Sequence, residues 1–324
     1  MADADASRRF TFAEVFAGIG GFRVGLEAVG GECVFACEYC RFASSTYRAN
    51  CRSGVVPVGD VRRIAAAQVP PHDVMAAGFP CQSFSNAGRR GIFDDERGQL
   101  FFELVRLAAA SRPRALLLEN VRGLLTAPGA LETVREALRA IGYDDLRILE
   151  CDAALLVPQR RRRVYMVALR DGLARAAFRF PALPALCRCV GDVLEPATSP
   201  DLELPDVKWS RVAASEYYRR WPAARLLPVA DDEDAPNENL GNAGRAPPAL
   251  RLAPVVAQTL QTQYKSGYAL YSQFVPQPAP ALPRFFSPRE VARLMGFPED
   301  FCLPSQEGLA YVEIISPEII SPRG

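Results

Sequence analysis

One cysteine has the surroundings of a nucleophile. Cys81 lies in Gly78-Phe79-Pro80-Cys81-Gln82-Ser83-Phe84-Ser85, after the apolar run Val74-Met75-Ala76-Ala77. A structural cysteine usually sits inside an apolar strand or helix and stays inert. This one opens a Pro/Gly/Ser loop at a strand end, where catalytic groups are displayed. The chemistry it offers is nucleophilic attack by a thiolate. Two further groups suit the same chemistry. Leu116-Leu117-Leu118-Glu119-Asn120-Val121 reads as a buried strand that delivers a carboxylate at its carboxyl end. Pro158-Gln159-Arg160-Arg161-Arg162-Arg163-Val164-Tyr165 places arginines at the entrance to another strand. Period-two geometry puts Arg161 and Arg163 on one face and Arg160 and Arg162 on the other. Alone, a strand-end glutamate is more often solvated than catalytic, and an arginine run is more often a basic surface.

A second constellation could hold a cofactor. Phe16-Ala17-Gly18-Ile19-Gly20-Gly21 lies between a strand and a helix. Glycines there let the backbone turn sharply and approach a ligand. Such a turn is a weak signal until the next strand is counted. That strand ends in Glu38, where a carboxylate can take two ribose hydroxyls, and Asp60 after Gly59 can accept from an adenine amine. The loop departs from the dinucleotide fingerprint, and no phosphate-binding loop is present. It suits a nucleoside with a short polar tail, and S-adenosylmethionine fits. Phe16 or Phe22 is placed to pack on the adenine or the methionine moiety.

The elements that must position these groups alternate. Phe10 to Phe16, Cys33 to Cys37, Asp73 to Ala77, Ala115 to Leu118 and Val164 to Leu169 read as strands. Phe22 to Val29, Gly98 to Ala110 and Ala130 to Ile141 read as helices. Alternation of this kind predicts an α/β fold with a parallel sheet covered by helices on both faces. Cys33, Phe35 and Cys37 are expected on one strand face, in the core. After Asp171 proline becomes frequent and periodicity fades, which predicts a smaller lobe of short strands and loops. The acidic run Asp231 to Asp234 and residues 236–248 read as exposed loops. Ser287-Pro288-Arg289-Glu290 reads as a helix start, with the helix from Glu290 to Met295 ending at Gly296. The tail repeats Glu-Ile-Ile-Ser-Pro at 313–317 and 318–322, and proline breaks it each time.

Composition narrows the class. The chain has 324 residues, enough for one large domain with a smaller lobe, and its 49% apolar and 23% charged residues are those of a globular protein. No apolar run approaches the roughly 20 residues of a membrane span, and no signal peptide is expected. Nine cysteines, an odd number in a long chain, read as reduced thiols. Cys37-Glu38-Tyr39-Cys40 lacks the second pair a zinc site needs, so no metal is expected. The net charge of +1 means that any nucleic-acid site must be a local basic cleft. Nearly all basic residues are arginine, Lys208 and Lys265 being the lysines.

Taken together, the runs at 16–22, 78–85, 97–102, 119–121 and 158–167 resemble the ordered blocks of the C5-cytosine methyltransferase family. A later block resembles Ser287 to Pro298. The resemblance implies a Rossmann-like S-adenosylmethionine-dependent methyltransferase sheet with a loop-rich target-recognition lobe. It implies a catalytic and cofactor-binding domain at 8–175, target recognition at 176–283, a return segment at 284–304 and an atypical tail at 305–324. It further implies that the Cys81 thiolate adds to C6 of a flipped-out cytosine, making C5 able to take a methyl group. In that scheme Glu119 grips N3 and the exocyclic amine, Asn120 orients the Cys81 loop, Arg163 donates to O2 and Arg161 supports. Cofactor contacts are implied at Phe16, Gly18, Gly20, Gly21, Phe22, Glu38, Asp60, Val61, Gly78, Pro80 and Leu100.

The nucleophile loop with Gln82-Ser83-Phe84 is similar to DNA enzymes, so DNA is the expected substrate. A transfer-RNA cytosine methyltransferase is an alternative, because the block at 283–301 is also similar to that branch. A catalytically impaired nucleic-acid-binding homologue is a third reading. It rests on the missing Gly-Asn-Ser/Ala-Val block beyond the Gly296-Phe297-Pro298 segment, which also predicts weak cofactor binding. A monomer is expected, nuclear in a eukaryote and cytoplasmic otherwise.

Overall fold

The structure is a computed structural model that describes residues 10–51, 54–80, 98–170, 178–184, 188–196, 199–215, 219, 256–260, 273–278 and 280–303. The described residues fall into two compact units. The first takes residues up to 151 and 162–182; the second takes 152–161 and the residues from 183 onward.

The first unit begins with β1 (Thr11–Val15), α1 (Gly21–Ala28), β2 (Glu32–Cys37) and α2 (Arg41–Ala49). It continues through β3 (Val74–Gly78), α3 (Gly98–Ser111), β4 (Ala115–Val121), the single turn α4 (Gly123–Thr126) and α5 (Ala130–Ala140). Strands β5 (Asp145–Asp152) and β6 (Arg162–Leu169) complete a six-stranded sheet in the order β2-β1-β3-β4-β6-β5. β1 pairs in parallel with β2 and β3, and β3 with β4. β6, however, runs antiparallel to β4, which corrects the expectation of a wholly parallel sheet. Parallel neighbours need a crossover of a dozen or more residues, usually a helix. Only residues 153–161 separate β5 from β6, so β6 turns back into the sheet beside β4. β5 and α2 are additions to the elements expected from sequence.

Alternation along the strands loads both faces. Ala13, Val15, Met75, Ala77, Leu116, Leu118, Val164 and Met166 pack with Leu104 and Leu107 of α3 and Val134 and Leu138 of α5. On the other face Phe12, Cys33, Ala36 and Tyr47 form a smaller cluster with Leu26 of α1 against it. Helices therefore cover both faces, as the alternation predicts. One detail differs. Phe12 pairs with Cys33, but the next residue, Ala13, pairs with Phe35. This irregularity sets two residues against one and flips the side-chain alternation. Cys33 thus joins the Tyr47 cluster, whereas Phe35 and Cys37 enter the larger core.

Among the described residues of the second unit, the α-helices with defined ends are α6 (Asp206–Ala214), which the weak periodicity had hidden, and α7 (Pro288–Leu294). β structure among its described residues is limited to isolated bridges, such as Glu203 with Arg284 and Val275 with Arg284. The start of α7 is encoded locally. Ser287 Oγ accepts from the Glu290 amide at 3.1 Å, and Glu290 Oε2 accepts from the Ser287 amide at 2.8 Å. This reciprocal cap satisfies two orphan donors, and Pro288 needs none. Glu290 is fully buried, and Arg284 donates to both its oxygens at 2.8 Å. Among the described residues, no helix is long and apolar enough to cross a membrane.

Candidate active site

The glycine loop and Glu38 meet at the carboxyl ends of β1 and β2. Phe16 has φ 57, Gly18 φ 55 and Gly20 φ 94, so the backbone is left-handed on both sides of Ala17 and again at the start of α1. That conformation costs little for glycine but is unusual for phenylalanine, and such strain gathers at functional sites. Glu38 Oε2 accepts from the Gly18 amide at 2.9 Å, and Oε1 accepts from the Cys40 amide at 2.7 Å. Burial pushes the Glu38 carboxyl above its ordinary range, with these amides opposing the shift. A carboxylate has about four lone-pair sites, so two bonds leave acceptor capacity for hydroxyls. A Cβ added at Gly21 would meet nothing within 4 Å, which leaves open space beside the loop. These residues fit a nucleoside cofactor.

The segment carrying Asp60 is drawn to the same strand ends. The Glu38 amide donates to Val58 O at 3.0 Å, and Cys37 Sγ donates to Gly59 O at 3.0 Å. Asp60 Oδ1 accepts from the Arg62 amide at 3.0 Å, and Oδ2 accepts from Arg62 Nη2 at 2.7 Å. The Arg62 bonds hold the Asp60 carboxyl below the usual range. Asp60 thereby caps the turn Val61–Arg63, while the Val61 side chain is buried in the core. Leu100 lies in the first turns of α3, partly buried against that core, and Pro80 is half-buried. Phe22 lies in the first turn of α1.

The catalytic candidates on β4 and β6 come together. The Glu119 carboxylate accepts from Arg163 Nε at 2.9 Å, with both side chains mostly buried. Glu119 stands opposite Gly78 of β3 in register, at the point where the chain leaves for Phe79-Pro80-Cys81. Asn120, 1% exposed, donates from Nδ2 to Phe79 O at 3.1 Å, and its Oδ1 accepts from the Val121 amide at 2.8 Å. The Asn120 side chain therefore fixes the backbone two residues before Cys81. Arg161 precedes β6; its amide donates to Asp152 Oδ1 at 2.9 Å. Cys81 and the segment through Arg97, the loops at 231–248 and the repeat tail lie outside the described residues.

Sequence reasoning passed over Tyr39. It is 58% exposed and follows Glu38 directly. An aromatic residue immediately after a strand-end acid was the signal available. Burial pushes up both thiols of β2, Cys33 to about 11 and Cys37 to about 12, which disfavours their thiolates.

The chain is similar to known proteins over nearly its whole length. Type II methyltransferase M.DsaV of Dactylococcopsis salina is 33% identical over 307 residues, covering 94% of this chain and 81% of that protein. Type II methyltransferase M.NlaX of Neisseria lactamica is also 33% identical over 307 residues, covering 93% and 90%. The crystal structure of the S. pombe Dnmt2 methyltransferase superposes with a TM-score of 0.68 at 19% identity, covering 96% of this chain and 95% of that one, a likeness of fold. The family of C-5 cytosine-specific DNA methylases matches residues 10–315, nearly the whole chain, and this chain belongs to that family.

Proposed function

We propose that this DNA cytosine-5 methyltransferase works through Cys81, Glu119, Asn120 and Arg163, with its cofactor on the Phe16–Gly21 loop and Glu38. The observation that carries the reading is the bond from Asn120 to Phe79 O beside the Glu119–Arg163 pair. It ties the approach to Cys81 to the strand that bears the carboxylate. The Cys81 thiolate adds to cytosine C6, and electrons move to C5. Glu119 holds N3 and the exocyclic amine, and a proton shared there draws electrons from the ring. Arg163 then turns from Glu119 toward O2. When bound, S-adenosylmethionine would supply an electrophilic methyl group for C5, its sulfur leaving as the neutral thioether. A base takes the C5 proton, the thiolate leaves and the ring regains aromaticity. The target must be flipped out, because C6 is inaccessible in a stacked duplex. Glu38 takes the ribose hydroxyls, and exposed Tyr39 offers its ring to the adenine face. Residues 176–283 select the target sequence.

Cys81→Ser should abolish methyl transfer while the fold is kept, because a serine hydroxyl ionises far less readily than a thiol. Labelled methyl should pass to duplex DNA and not to transfer RNA. Duplex DNA carrying 5-fluorocytosine should trap the wild type in a covalent complex that survives denaturation, since fluorine does not leave as a proton does. Trapping by the serine variant, or transfer to transfer RNA alone, would overturn the assignment.

A further inference from the structure

Under the glycine loop lies a buried polar cluster that the methyl-transfer scheme does not use. Glu14 of β1 is fully buried, and Tyr47 of α2 is 1% exposed. The Tyr47 hydroxyl donates to Glu14 Oε2 at 3.1 Å and accepts from Arg23 Nη1 at 3.1 Å. Glu14 Oε1 accepts from the Arg23 amide of α1 at 3.4 Å. Arg23 also donates to Val55 O at 3.0 Å and to Glu27 at 2.8 Å, and its guanidinium lies 5.1 Å from the centre of the Tyr47 ring. The ring is the side of the cluster that meets the loop. A Cβ built on Gly20 would stand 3.1 Å from Tyr47 Cδ2 and 3.3 Å from Cε2.

We propose that Tyr47 is a positioning residue for the cofactor loop, its ring fixing Gly20 and the first turn of α1 while Glu14 and Arg23 hold its hydroxyl. The inference rests on the reading of the Phe16–Gly21 loop as the cofactor site. Three facts carry it. Gly20 is the left-handed residue on which α1 begins. A Cβ there would crowd the ring, which would have to give by a few tenths of an ångström, and φ 94 already favours glycine. Cys40, the residue that caps the start of the helix bringing Tyr47 under Gly20, gives its amide to Glu38, whose other oxygen accepts from Gly18. α2 and its cap thus brace the loop twice, once through a carboxylate and once through a phenol.

A positioning role separates cofactor binding from the later steps. Tyr47→Phe keeps the ring and removes the hydroxyl's bonds. Tyr47→Leu keeps most of the buried volume and removes the flat stop. Calorimetric titration of the full chain with S-adenosylmethionine should show binding weakened roughly tenfold in Tyr47→Leu, the loss expected when a loop freed from the ring forfeits one polar contact to the cofactor, and less in Tyr47→Phe, which keeps the ring. The KM for DNA and kcat at saturating cofactor should stay near wild type in both. Glu38→Ala is measured alongside. A weakened Glu38→Ala with unchanged Tyr47 variants would overturn the positioning role alone. Unchanged affinity in all three would overturn the loop reading itself. Should Tyr47→Leu not fold, a Tyr47→Phe chain with wild-type cofactor affinity and a lowered melting temperature would mark the cluster as structural and overturn the proposal.

Discussion

Glu14 shows how one residue ties stability to pH. Burial pushes its carboxyl from the ordinary 4.5 up to about 8, against the pull of Tyr47 and Arg23. The folded chain therefore holds this proton more tightly than the unfolded chain does. Between those two values the unfolded state binds fewer protons, so stability falls as pH rises. The contribution is complete below about 4.5 and lost once the pH passes about 8. Glu38, also raised by burial, acts in the same direction. Glu14→Gln keeps the shape without the titration. Its melting temperature should decline less between pH 5 and 8 than that of wild type, and parallel declines would place the titration elsewhere. Legibility at this scale was uneven. The positions of Glu119 and Glu38 in the sheet could be read because each stands near the end of an apolar strand. Glu14 could not, since an acid in mid-strand differs from a solvated one only by what its neighbours do. The irregularity at Cys33 was equally hidden, because nothing in Cys33-Val34-Phe35 marks the extra residue.

Strand ends matter most at the scale of elements. β3 and β4 run parallel, and Gly78, the last residue of β3, stands opposite Glu119, so the chain leaves β3 toward Phe79 and Pro80 beside the carboxylate. β6 runs against β4 and brings Arg163 opposite Val121, two residues on from Glu119. That diagonal is within reach of a long side chain. Asn120 is the joint between β4 and the Cys81 approach. Asn120→Ala would leave the buried Phe79 carbonyl without this donor, a cost of about 1–3 kcal/mol. The expected outcome is a fall in kcat with cofactor affinity unchanged, read by steady-state kinetics and titration on one preparation. Equal loss in both would mean that Asn120 supports the whole sheet. The α7 cap, by contrast, was visible from sequence alone, because Ser287, Pro288 and Glu290 make their contacts within four residues.

Across the whole molecule, ligand binding and folding are linked. A cofactor that binds only the folded chain stabilises it by about 2.7 kcal/mol at a hundred times its Kd. S-adenosylmethionine should therefore raise the melting temperature in a concentration-dependent way. Glu38→Ala should lose about 1.5–3 kcal/mol of binding and need correspondingly more cofactor for the same rise. A rise identical to wild type would place the ribose away from Glu38. By itself the sequence determined the α/β class, the order of the chemical groups, the glycine loop and the α7 cap. Each of these rests on periodicity or on contacts a few residues apart, which a linear pattern records. Only the tertiary structure decided that β6 reverses, that Cys33 leaves the main core, that Arg163 meets Glu119 and that Tyr47 lies under Gly20. Those depend on register between distant segments, and register follows from how whole faces pack rather than from any one stretch of chain.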